Sequence, residues 1–212
     1  MPYGSAFSGL SFQECIFKLC RVILEQTTTD ASRAEPTRAA STINYKRQLE
    51  GIWDTAAQHL ISKPHCKSLQ DHLERLALGI HLGYAICRVI QLHIDSGIAG
   101  NATGTMIVEC KHQAMRVIQC FLELHRFSAR VCRSWAFVHN AVSCGITLQN
   151  LNHVPVDVSQ DSETLVQRLL TVLEKEARES EWCDTDLNVR HFGPYSRLLK
   201  AMKEIYGVNH GS

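Results

Sequence analysis

The sequence predicts an all-α protein of about seven helices packed around a central buried helix at roughly 132–149. Three observations predict it. The first is the stretch Arg133-Ser-Trp-Ala-Phe-Val-His-Asn-Ala-Val-Ser-Cys-Gly-Ile-Thr-Leu-Gln149. At about 100° per residue, Trp135, Val138, Val142 and Ile146 share one face, with Phe137, Ala141, Cys144 and Leu148 nearly opposite. Only the strip of Asn140, Ser143 and Thr147 is polar, and a helix apolar on two sides must be covered on two sides. The second is that Leu69, Leu73, Leu76 and Ile80 form one stripe while Leu78, Leu82, Ile86 and Val89 form another, which asks for the same double cover. The third is that helical periodicity recurs elsewhere, with no internal repeat and no convincing strand; Val154, Val156 and Val158 alternate only briefly.

In chain order, Ser11 and Glu14 form a capping box that opens a first helix, ending near Gln26. Its stripe is Phe12, Cys15, Ile16, Leu19 and Ile23. Thr27 to Ser41 carries three threonines, Pro36 and small residues and reads as a linker. The division is therefore residues 1–41, an N-terminal helix and polar linker, and residues 42–212, a helical domain. A second helix is expected from Thr42 to Ile61, with Tyr45, Leu49, Ile52, Trp53, Ala56 and Leu60 inward and Pro64 ending it.

Ser68 and Asp71 cap a third helix, which runs to about His93. Gly79 and Gly83 within it each cost about 1 kcal/mol against Ala in an exposed helix, which close approach by a neighbour would explain. After a turn at Gly97–Gly104, a fourth helix from Thr105 to His125 turns Ile107, Cys110, Ala114, Val117 and Phe121 to the core. The central helix follows. Beyond a loop with Pro155, Ser162 caps a sixth helix to Ser180 with Leu165, Leu169, Leu170 and Leu173 inward and Glu174/Arg178 as an exposed pair. Pro194 starts the last, with Leu198, Leu199, Met202 and Ile205.

A chain of 212 residues suits one domain, or one domain plus an appended helix. Lys and Arg (22) nearly cancel Asp and Glu (21), which argues against a stand-alone nucleic-acid binder. The central stretch is too rich in His, Asn and Gln for a membrane span, so no membrane partner is expected. No secretory signal is read, because Glu14, Lys18 and Arg21 interrupt the first apolar run. The nine cysteines are odd in number and contain no C-x-x-C pair, so they read as reduced thiols on apolar helical faces.

No catalytic residues and no cofactor are expected. Glu109-x-x-His112 is half of a di-iron motif whose other half is missing. His59, His65, Cys66 and His72 gather near a helix boundary without an established zinc spacing, so no metal ligands are assigned. Cys144 and His139 fall on different faces of one helix, a poor nucleophile–base pair. His139 and Asn140 on the central helix need hydrogen-bond partners if buried. The structural reading is a satisfied histidine; the functional one is a ligand pocket between helices involving Trp135, His139 and Asn140.

Several stretches together resemble the regulatory region, the fungal-specific transcription factor domain, of fungal binuclear zinc-cluster transcription factors. They are Ser68-Leu-Gln-Asp-His-Leu-Glu-Arg-Leu-Ala-Leu78, Phe121-Leu-Glu-Leu-His125, Arg133-Ser-Trp-Ala-Phe-Val-His-Asn-Ala-Val-Ser143 and Gly193-Pro-Tyr-Ser-Arg197. The similarity covers residues 46–206. It implies an all-helical domain in the nucleus that controls transcription through a small-molecule effector, protein partners of the transcription machinery or self-association. The six-cysteine DNA-reading head of that family begins C-x2-C-x6-C, a spacing absent here, so neither zinc nor direct DNA binding carries over. The competing expectations are a small helical metabolite-binding protein or enzyme with a pocket near His139, and a structural interaction module.

Overall fold

The computed structural model describes residues 9–30, 35–95, 103–151, 159–182 and 204. Seven α-helices occur among them: α1 (Phe12–Asp30), α2 (Glu35–Thr55), α3 (Gln58–Ile61), α4 (Leu69–Asp95), α5 (Thr103–Phe127), α6 (Trp135–Leu151) and α7 (Ser159–Trp182). Short 3-10 turns at Lys63–His65 and Ala129–Arg133 precede α4 and α6. The fold is all-α, as expected. The expected helix after Pro194, Cys183, the start of the Gly97–Gly104 turn and the Pro155 loop lie outside the described residues.

The α4–α5 pair is antiparallel. A Cβ added at Gly79 would come within 2.8 Å of Cys120 Sγ, and one at Gly83 within 2.9 Å of Val117 Cγ2. Both glycines are therefore where two helices approach too closely for a side chain. Cys87 and Cys110 Sγ atoms meet 3.5 Å apart further along. The inward positions expected of α5 (Ile107, Cys110, Ala114, Val117 and Phe121) are all buried. On one side of this pair lies α2, with Lys46 bridging to Glu109 at 2.9 Å and the Arg116 guanidinium 3.9 Å above the Trp53 ring. On the other side α6 runs parallel to α4, pairing Asn140 with His81 and Thr147 with Gln91. Leu165, Val166, Leu169, Leu170 and Leu173 of α7 close the same core. By length and composition α4 could cross a membrane, but 67% of its apolar window is buried by the rest of the protein.

The central helix is buried along Val138, Ala141, Val142, Cys144, Gly145 and Leu148, as the two-sided pattern requires. Its faces are rotated from the expectation. Trp135 is 49% exposed, while Asn140 and Thr147 of the supposed polar strip are 6% and 4% exposed. The reason is tertiary: α4 supplies polar partners to that strip, so burying it leaves few polar groups unpaired.

Both expected caps form. Ser11 N donates to Glu14 Oε2 at 2.8 Å, and Asp71 accepts from the Lys67 and Ser68 amides at 2.7 and 3.2 Å. Five expectations need correction. The linker over 27–41 is mostly helix, since α1 continues to Asp30 and α2 starts at Glu35. Thr27 and Thr28 hydroxyls donate to Leu24 O within α1, and Pro36 falls in a first turn, where a missing N–H costs nothing. The single helix 42–61 is broken after Thr55: Leu10 N donates to Thr55 O and Ala57 N to Leu10 O, at 2.8 and 2.9 Å. Gly9 permits this crossing, because a Cβ there would sit 2.6 Å from Ala56 O. Ile23 and Leu69, expected inward, are 40% and 57% exposed, and α7 begins a turn before Ser162. Arg178 Nε donates to the Glu174 carbonyl rather than to its carboxylate.

Candidate functional site: the α4–α6 seam

Three side chains of α4, spaced to recur on one helical face, meet three of α6. Asn140 Nδ2 lies 3.2 Å from His81 Nδ1, Tyr84 Oη lies 3.2 Å from His139 Nε2, and Gln91 Nε2 donates to Thr147 Oγ1. Rings add to the polar pairs. His81 packs against Phe137 with centroids 4.9 Å apart, and Trp135 against His139 at 5.5 Å, while Tyr84 meets His139 edge-on at 5.7 Å.

Along the outer edge of this seam runs a groove of about 550 Å³. Tyr84, Arg88, Gln91, His139, Ser143 and Thr147 supply its polar wall. Ile94, Ile146 and Leu151 supply an apolar end. Among the described residues Arg88 is the one charged side chain lining it, which suits a small molecule with an anionic or hydrogen-bond-accepting group and an apolar part. Of the three residues expected at a pocket, the structure places His139 in the groove wall and stacks Trp135 on its ring. Asn140 sits behind the wall, bonded to His81. Periodicity missed Tyr84, Arg88 and Gln91, although their recurrence along one face of α4 was visible.

Burial keeps the seam histidines neutral. His81 is pushed down by desolvation, and His139 by desolvation and the nearby Arg88. Burial raises the Tyr84 phenol, opposed by Arg88 and by a hydrogen bond with Ser143. Tyr84 Oη and His139 Nε2 thus form a hydrogen-bonded pair in the wall, and His139 Nδ1 is buried with no protein partner.

The other residues considered for chemistry fall apart. Glu109 pairs with Lys46, and His112 is exposed. Cys66 Sγ donates to the His59 carbonyl at 3.3 Å, His59 lies 3.7 Å from Glu74, and His72 stacks near Phe127. Cys144 is buried beside Cys87, away from any base. A smaller groove of about 380 Å³ lies on the far side, between Trp53 and Gln113 and floored by Gly79 and Gly83.

Fold and groove together define a helical module with a groove between two parallel helices. Comparison with protein-family models, with curated proteins and with solved structures finds no match.

Proposed function

We propose that this chain is a regulatory module that responds to a small effector in the α4–α6 groove and passes the response to protein partners. On the resemblance of Ser68–Leu78, Phe121–His125, Arg133–Ser143 and Gly193–Arg197, the setting is fungal transcription control in the nucleus, with no DNA reading by these 212 residues themselves. The observation that carries the reading is the groove itself, whose wall is built from the same residues that dock α6 on α4. An occupant reaching Tyr84, Gln91, His139 or Thr147 exchanges contacts with the seam. It shifts the balance between two packings of α6 by the difference in its affinity for them.

A screen of small carboxylic and phenolic metabolites by thermal shift tests this. At about a hundredfold excess over Kd a true effector stabilises by about 2.7 kcal/mol. Arg88→Ala should abolish that shift with little loss of intrinsic stability, because Arg88 is exposed at the groove edge, and His139→Ala should abolish it at some cost to the seam. A library without hits, or hits indifferent to both variants, contradicts the reading. Tight, sequence-specific DNA binding by these residues alone would contradict its headless part.

The Tyr84–His139 pair in the groove wall favours one second reading, a small metabolite-binding protein or enzyme. A neutral imidazole with a free nitrogen can exchange a proton with a bound molecule. Chemical turnover of a thermal-shift hit, lost in His139→Ala, separates it from effector binding.

A further inference from the structure

We propose that His125, Cys132 and Glu176 form a metal site of the zinc class that fastens α7 to the corner between α5 and α6. The three donors come from three elements: the last turn of α5, the Ala129–Arg133 turn, and α7. One ligand atom of each lies within 4.8 Å of the other two, a convergence that no other trio of His, Cys, Asp or Glu reaches among the described residues. His125 Nε2 and Glu176 Oε1 are 2.9 Å apart.

Zinc–sulfur bonds of about 2.3 Å and zinc–nitrogen or zinc–oxygen bonds of about 2.0–2.2 Å place tetrahedral ligand atoms roughly 3.3–3.8 Å apart. The trio therefore reaches coordination geometry by side-chain shifts on the order of 1 Å. One sulfur, one imidazole and one carboxylate suit zinc or cobalt; magnesium and calcium take oxygen donors. His125 and Glu176 side chains are 17% and 19% exposed, which leaves an approach for the ion and for a water in the fourth position. Cys132 is buried and its neighbouring charge is Glu176, so its thiol stays protonated without a cation, pushed up to about 12 by burial and that carboxylate. Metal binding sends that proton to solvent.

The location gives the site a role. Leu173 is the last fully buried apolar residue of α7 among the described residues, with only the partly buried Ala177 packed beyond it, and Glu176 lies nearly one turn past Leu173. A metal there ties α7 to a residue 51 positions earlier in the chain. This inference is independent of the groove.

The test is a titration of the full chain with cobalt(II), after chelator treatment under reducing conditions. One equivalent should bind with a thiolate-to-cobalt absorption band, zinc should displace it, and zinc should raise Tm reversibly. Cys132→Ser and His125→Ala should abolish the band, and Glu176→Gln should weaken binding by more than about tenfold at unchanged far-ultraviolet circular dichroism. Cys66→Ser should change nothing. A wild-type chain without the band, a band surviving Cys132→Ser, or one lost in Cys66→Ser overturns the proposal. If Cys132→Ser does not fold, the isosteric Glu176→Gln decides: unweakened cobalt binding there overturns it.

Discussion

Helix α4 meets α5 on one side and α6 on another, and the two joints are built from different chemistry. Toward α5 the joint is dry at its centre, where Gly79 and Gly83 let Cys120 and Val117 press against the backbone and Cys87 faces Cys110, with the Arg75–Glu123 ion pair at one end. Toward α6 it is a polar seam of His81/Asn140, Tyr84/His139 and Gln91/Thr147, open along one edge. Burial and close packing stabilise the first joint in proportion to the surface removed from water. A hydrogen bond contributes only about 1 kcal/mol net, yet an abandoned buried partner costs about 1–3 kcal/mol. The seam therefore fixes the register of α6 more than it strengthens it. A joint of that kind can be re-set by a ligand; the dry one cannot.

The contrast can be broken from the dry side first. Phe121, fully buried on α5, should cost about 3–5 kcal/mol as Phe121→Ala, read as a lower urea midpoint at unchanged m. Gly83→Leu should cost about 1–3 kcal/mol through overpacking against Val117, exceeding the helix propensity it gains. A neutral outcome would mean the helices separate more easily than the glycine contacts imply.

The polar side is sharpened by Asn140→Ala, which strips His81 of its partner and should cost about 1–3 kcal/mol. In a double-mutant cycle with His81→Ala the losses should fall short of additive, showing that the two side chains act as a pair.

Acid should act on the seam as well. His81 and His139 have depressed pKa values in the fold, so between those values and about 6.5 the unfolded chain binds more protons. Their contribution is fully present above pH 6.5 and is lost as pH falls below it. Urea midpoints at pH 7.5 and 5.5 should differ, and the difference should shrink in His81→Asn/His139→Asn. An unaltered difference would remove the seam from the explanation.

How far the sequence led follows the same division. Capping at Ser11/Glu14 and Ser68/Asp71, the inward face of α5, and the need for close approach at Gly79 and Gly83 were legible, because each is signalled by residue types within a few turns of one helix, although the helix that approaches the glycines was not. The break at Ala56 was not, since Leu10 causes it from the other end of the first two helices. Nor was the burial of Asn140 and Thr147, whose partners stand on α4. His139 was singled out as a polar residue on an apolar rod, and it lines the groove. The groove around it needed the parallel alignment of α4 and α6, which no periodicity specifies. His125, Cys132 and Glu176 likewise converge only through the fold.

Native-state hydrogen exchange on the unliganded chain compares the two joints most directly. If the seam is the joint that re-sets, backbone amides of α6 should exchange through an opening of lower free energy than those of α4 and α5, which should exchange only by global unfolding. Asn140→Ala should widen that gap. Equal opening free energies for α6 and α5 across the urea series would contradict the account, because α6 would then have no motion of its own for an effector to bias.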